Sequence, residues 1–204
     1  MPRPTDAHTA ATRSLWRGGW LLAARHCPSP NHDPRPARTA IDLVVVHSIS
    51  LPPGRYGGNA VRALFLNQLD CNAHPYYESL RDLRVSSHFF ITRNGQVWQF
   101  VACSERAWHA GLSHYRMRAR CNDDSIGIEL EGIEDSAFEE AQYTALEQLC
   151  DALRRRYPIR YLTGHEHIAP GRKRDPGSAF DWPRISHHLA GSGIVLPPVA
   201  PTSR

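Results

Sequence analysis

The sequence predicts a single α/β domain, and three stretches carry that expectation. Residues 41–46 (IDLVVV) form a continuous apolar run rich in β-branched side chains, Ser125–Glu131 (SIGIELE) alternates strictly, and 138–157 repeats its apolar residues at helical spacing. No internal repeat or long linker divides the 204 residues, and a hydrophobic fraction of 41% suffices for one core. Residues 1–14 lack periodicity and are expected to be a disordered extension. Residues 15–190 should form the domain, and 191–204, with its prolines and serines, a mobile tail.

Taken in order, residues 15–25 read as a turn of helix or an edge element. Residues 27–38 form a proline-rich surface loop. His26, Cys27, His32 and Asp33 can be drawn there as a metal cluster, but the prolines hold the backbone extended and oppose convergence. The run 41–46 reads as a central strand buried on both faces, with His47 at its C-terminal end. A lone histidine in that place is more often a satisfied core residue than a ligand. A loop full of Pro and Gly follows, then a short amphipathic helix over 59–69 on Val61, Leu64, Phe65 and Leu69, then an irregular stretch at 70–80.

Residues 87–92 and 96–101 flank Arg93-Asn94-Gly95, and Asn-Gly between two β-rich runs signals a hairpin. Residues 106–121 read as loop and carry a basic patch of Arg106, Arg116, Arg118 and Arg120, more commonly a solvated face than a ligand site. In Ser125–Glu131 the residues Ile126, Ile128 and Leu130 face the core, which places Glu129 and Glu131 on the side expected to meet solvent. Ser136 and Glu139 make a capping-box pattern ahead of the helix at 138–157. Arg154, Arg155 and Arg156 suit its C-terminal dipole, and Pro158 stops it. Asp181 opens a last short helix through Ile185 and Leu189.

The formal charge of +4 is mild and fits an anionic small substrate as readily as nucleic acid. Five scattered cysteines with no CxxC argue against a disulfide framework or a cysteine zinc ribbon, and reduced cytosolic thiols are the simpler reading. The apolar stretch near Trp20 is too short for a secretory core or a membrane span, so a cytoplasmic protein is expected.

The densest chemistry lies at 162–177, LTGHEHIAPGRKRDPG, which reads as a polar loop stiffened by Pro170 and Pro176. A catalytic zinc site needs three ligands drawn from His, Asp or Glu, with a fourth position left for water. His165 and Asp175 bracket this loop, and His47 is a plausible third ligand. From spacing alone His165 and His167 compete, and two histidines with one carboxylate also suit non-haem iron. Glu129 is a candidate general base and Lys173 a candidate oxyanion stabiliser, although a solvated lysine is the commoner case.

These residues resemble a known family. GHEHIAPGRKRDPG is similar to the C-terminal metal loop of the zinc-dependent N-acetylmuramoyl-L-alanine amidases, and VVVHSISLPPG to their first-ligand strand. More narrowly, HPYY, LRVSSHF, RAWHAG and RCNDDSIGIELEG stand in the order found in the cytoplasmic 1,6-anhydro-N-acetylmuramyl-L-alanine amidases of Gram-negative bacteria, over about residues 20–188. The resemblance implies a mixed central β-sheet flanked by helices, as in bacteriophage-lysozyme-type amidases and peptidoglycan recognition proteins. It implies zinc on His47, His165 and Asp175, with His167 at a variable position, Glu129 as acid/base and Lys173 on the oxyanion. Tyr76, Arg84, Trp108 and Arg120 match positions lining the sugar and peptide cleft. The implied substrates are anhydro-muropeptides, cut between the lactyl group and L-alanine. Separately, a monomer with no nucleic-acid or membrane partner is expected. Ser48 departs from the pattern, standing where an asparagine often follows the first histidine. The competing readings are a peptidoglycan-binding module without catalysis and, on the basic patch alone, a nucleic-acid binder. The three filled ligand positions argue against the first, and no recognised motif supports the second.

Overall fold

The computed structural model describes residues 15–198. The expected extension at 1–14 and the end of the expected tail, 199–204, lie outside the described residues. The first strands among the described residues are a small antiparallel pair, β1 (Trp16–Arg17) and β2 (Trp20–Leu21), and then β3 (Arg25–His26), an edge strand of the main sheet. From Trp16 onward the first stretch is an edge element. Within the expected surface loop, β4 (His32–Pro34) pairs with β8 (Glu105–Ala107), which the proline content concealed.

Six strands make the main sheet: β3, β5 (Leu43–Ile49), β6 (Phe89–Ile91), β7 (Val97–Gln99), β11 (Ser125–Glu131) and β12 (Tyr161–Gly164). Their spatial order is β12-β5-β11-β6-β7-β3. Every neighbouring pair is parallel except β6–β7, the hairpin expected around Asn94-Gly95, so the sheet is mixed as the resemblance implies. β5 continues beyond Val46, so His47 lies inside the strand and not past its end.

On one face Val44, Val46, Ile126, Ile128, Leu130 and Leu162 pack against α3 (Glu140–Arg156), which presents Leu146, Leu149 and Leu153. Each fully buried leucine contributes roughly 1.5–3 kcal/mol of hydrophobic stabilisation. α5 (Trp182–His188), capped by the Asp181 side chain accepting from Arg184 N–H, closes the same face. The opposite face is covered by α1 (Ala60–Phe65), α2 (Pro75–Glu78), α4 (His165–Ile168) and the segment between β8 and β11. Glu129 and Glu131 are consequently buried at 8% and 4% exposure. The alternation in β11 was genuine, but its second face meets protein rather than solvent.

Further differences from the sequence reading have local causes. The segment 106–121 holds the hairpin β9 (His114–Tyr115) and β10 (Arg118–Ala119). Its turn residues Arg116 and Met117 both have positive φ without any Asn-Gly to announce it. The basic patch is largely consumed by ion pairs: Arg106 with Asp33 and Asp123, Arg118 with Asp42 and Asp124. Residues 191–198 are not a free tail. Val195 N–H donates to Arg160 O and Leu162 N–H to Val195 O, which seats this segment beside β12. All five cysteines are free, and among the described residues no helix is long and apolar enough to cross a membrane.

The cap of α3 sits at Glu139, not Ser136. The Glu139 N–H donates to Gln142 Oε1 at 3.0 Å, and Gln142 Nε2 donates to both Ile91 O and Glu131 O at 3.1 Å. One fully buried amide therefore caps the helix and fastens it to the ends of β6 and β11. Gln142→Ala strands these backbone groups and should lower unfolding free energy by about 1–3 kcal/mol. Chemical denaturation followed by far-ultraviolet circular dichroism checks this, and no shift in midpoint would refute it.

Candidate metal centre and its cleft

Strand register gathers the candidate ligands. Glu129 of β11 is the direct partner of His47 in β5, so both side chains leave the same face near the C-terminal ends of two parallel strands. On the other side of β5, Gly164 of β12 pairs with Val46 and the next residue is His165. The carboxyl ends of parallel strands are where open α/β sheets place their ligands. The stretch expected to be wholly loop thus contributes the strand β12 and the one-turn helix α4. Asp175 returns on the following turn, where Glu166 N–H donates to its carbonyl at 2.8 Å. Gly177 makes that return possible: its φ is +89°, and a Cβ there would lie 2.3 Å from Glu134 O.

Three ligand-type atoms converge in the buried site. His47 Nδ1 lies 2.9 Å from His165 Nδ1 and 3.1 Å from Asp175 Oδ2, and His165 Nδ1 lies 3.1 Å from the same oxygen. His165 Nε2 stands 3.1 Å from Ala110 O, a carbonyl that only accepts, so this nitrogen carries the proton. A ring protonated at Nε2 alone turns a bare Nδ1 lone pair toward a carboxylate. Burial first, then the neighbouring His165, pushes His47 down to about 4, so it is neutral near pH 7. Three acceptors packed this closely repel one another unless a cation lies among them. Tetrahedral zinc ligands at about 2.0–2.2 Å sit about 3.4 Å apart, so the observed triangle fits zinc after opening by a few tenths of an ångström.

Glu129 faces this point. Its Oε2 has no hydrogen-bond partner, and burial, then Asp175, raises its pKa well above the ordinary value, against the opposing pull of Lys173. Lys173 is exposed on the loop and lines the same cleft as His47, Ser48, Glu129, His165 and Asp175. The cleft has a volume of about 460 Å³, with Leu80, Leu83, Val85 and Ile133 as an apolar wall. Arg172 spans its rim by donating to Ala110 O and Leu112 O, both at 2.7 Å.

Of the four positions matched to substrate contacts, Tyr76 lines the cleft. The structure does not bring the other three to its wall. Arg84 donates to Arg81 O and Leu83 O on the exterior. Trp108 turns its Nε1–H toward Asp33 Oδ1 at 3.2 Å, drawn by the carboxylate that also holds Arg106. Arg120 is paired with Asp123 and its side chain is 77% exposed. His167 is set apart from His165 by its own bond: its Nδ1 accepts from Gly164 N–H at 3.1 Å while its ring packs on Trp182. The Ser48 hydroxyl is buried without a partner. Sequence reasoning missed His109, whose Nδ1 lies 2.9 Å from His47 Nε2, although RAWHAG flagged its neighbourhood. It also missed Arg172, one residue before the lysine it singled out.

Residues 37–178 match the family model described as N-acetylmuramoyl-L-alanine amidase. The chain is 52% identical over 169 residues to the 1,6-anhydro-N-acetylmuramyl-L-alanine amidase AmpD of Citrobacter freundii, covering 82% of this chain and 90% of that protein. The crystal structure of an AmpD derivative superposes with a TM-score of 0.82 at 50% identity, covering 85% of this chain and 98% of the other. The amidase AmiD from E. coli, solved with the substrate anhydro-N-acetylmuramic acid-L-Ala-D-gamma-Glu-L-Lys, gives a TM-score of 0.54 at 32% identity, covering 76% of this chain and 60% of AmiD. A Drosophila peptidoglycan recognition protein, PGRP-SD, shares the fold at a TM-score of 0.51 and 21% identity, covering 78% of this chain and 86% of that one. The chain belongs to the N-acetylmuramoyl-L-alanine amidase family.

Proposed function

We propose that this chain is a zinc-dependent amidase of the cytoplasm that cuts muropeptides between the lactyl group of 1,6-anhydro-N-acetylmuramic acid and L-alanine. Its role would be peptidoglycan recycling and, through muropeptide levels, control of β-lactamase induction. The observation that carries the reading is the buried triangle of His47 Nδ1, His165 Nδ1 and Asp175 Oδ2, with an unpartnered carboxylate beside it. The names of the AmpD relatives and the substrate bound to AmiD support the choice of bond.

A zinc ion held by these three residues supplies Lewis acidity that polarises the scissile carbonyl and acidifies a water. Glu129 takes a proton from the attacking water on its free Oε2 and delivers it to the leaving amine. Its raised pKa suits both halves of that task, because a carboxylate of ordinary acidity returns the proton poorly near neutrality. Lys173 offers positive charge on the cleft wall where the amide oxygen becomes anionic. Tyr76 and the apolar wall give the sugar and lactyl groups a surface to lie against, and the rim cations Arg172 and Arg174 suit the carboxylates of a stem peptide.

Metal analysis distinguishes the two loop histidines: His165→Ala should abolish stoichiometric zinc binding, whereas His167→Ala should retain it. The reverse result would reassign the ligand. In an anhydro-muropeptide assay, the zinc-loaded chain should release stem peptide and lose the activity on chelation. Glu129→Ala should bind zinc yet turn over slower by about 10²–10⁴-fold. No release by the loaded chain would sink the proposal. The acid limb of kcat/KM, where Glu129 must lose its proton to act, should lie above the ordinary carboxylate range. Lys173→Met should lower kcat by on the order of 10²–10³-fold. Because Lys173 holds the Glu129 pKa down, its loss should also move that limb to higher pH. A limb that stays in place, or moves to lower pH, would show that the two charges do not communicate.

A further inference from the structure

Behind His47 runs a chain of hydrogen bonds whose direction is set at its far end. The Ser125 hydroxyl contacts Cys121 O, and a carbonyl only accepts, so the hydroxyl proton is committed there. Ser125 Oγ is then left to accept, and the group facing it is His109 Nε2 at 3.1 Å. His109 therefore carries its proton on Nε2 and offers a lone pair at Nδ1. Opposite that lone pair, at 2.9 Å, stands His47 Nε2, which must be the donor. A neutral His47 protonated at Nε2 has its Nδ1 bare, and Nδ1 is the atom that meets His165 and Asp175.

We propose that His109 and Ser125 are positioning residues that act through this relay to fix the tautomer and ring angle of His47 for zinc. The proposal rests on the metal reading above and adds to it two residues outside the ligand set. The relay is built rather than incidental. His109, Ser125 and His47 are all at least nine-tenths buried. The backbone N–H groups of His109 and Ala110 both donate to Asn122 Oδ1, at 3.2 and 2.8 Å, which holds the loop under the ring. The imidazole occupies space that only a glycine leaves free, since a Cβ on Gly127 would fall 2.5 Å from His109 Cγ. His165 gains the same protection more simply, from Ala110 O, so one short segment orients both histidines. Groups that hold the remote nitrogen of a metal-bound histidine commonly contribute 10–100-fold in metal affinity.

The test is zinc affinity by chelator competition, with imidazole nitrogen shifts from NMR of the zinc-loaded chain as a second readout. Ser125→Ala frees His109 to move its proton to Nδ1, which would drive the His47 proton onto the metal-facing nitrogen. His109→Leu removes the acceptor altogether. Both should weaken zinc binding by about 10–100-fold. His109→Asn places an amide oxygen where Nδ1 was, and should bind within about threefold of the unaltered chain. NMR should find His109 protonated at Nε2 alone. Affinities of Ser125→Ala and His109→Leu within twofold of the unaltered chain, or a His109 proton on Nδ1, would overturn the relay. Failure of the unaltered chain to bind zinc would instead overturn the metal reading on which it stands. Should His109→Leu not fold, Ser125→Ala and the NMR assignment still decide the matter.

Discussion

Crowding of like lone pairs at one buried point governs this structure. Two imidazole nitrogens and a carboxylate oxygen lie within 3.1 Å of one another on the covered face of the sheet. In water each would be solvated. Here they are desolvated and, with no proton between them, mutually repulsive, a cost that a cation among them offsets. Much of the surrounding architecture reads as the means of holding them there: parallel pairing that sets His47 beside Glu129, the short β12 that ends just before His165, and the tight turn at Gly177 that brings Asp175 back.

The same crowding organises the electrostatics of the neighbouring groups. Burial, together with the charge of Asp175, makes Glu129 reluctant to ionise. Of the two carboxylates on one cleft, Glu129 is thereby driven toward a group that exchanges protons. Environments that separate like residues in this way are a common source of acid/base assignment. Lys173 opposes the rise at Glu129, so its charge acts on the proton carrier as well as on the cleft wall.

The fold was legible wherever a single residue pattern dictated it. The β-branched run of β5, the Asn-Gly hairpin and the helical period of α3 are local signals, and each element formed. Elements held by distant partners were invisible. β4 exists because β8 lies beside it, the β9–β10 turn uses Arg116 and Met117 in place of glycine, and Val195 is ordered by β12. Glu129 illustrates the limit most clearly: alternation correctly separated it from the core, but only the segment packed above the sheet decides that it is buried. At the site, His47, His165 and Asp175 were nameable by residue type and family resemblance. The separation of His165 from His167 rests on Gly164 N–H, and the role of His109 on a hydroxyl sixteen residues away, neither of which any spacing reveals. Arg84, Trp108 and Arg120 were carried over from the resemblance alone. Their side chains here are claimed by nearby carbonyls and carboxylates instead of by the cleft.

X-ray absorption at the zinc edge of the loaded chain tests the central claim most directly, because it reports the ligand atoms themselves. The account predicts a first shell of nitrogen and oxygen only, at about 2.0–2.2 Å, with outer-shell scattering from two imidazole rings. A sulfur scatterer near 2.3 Å, or the signature of a single imidazole, would contradict it.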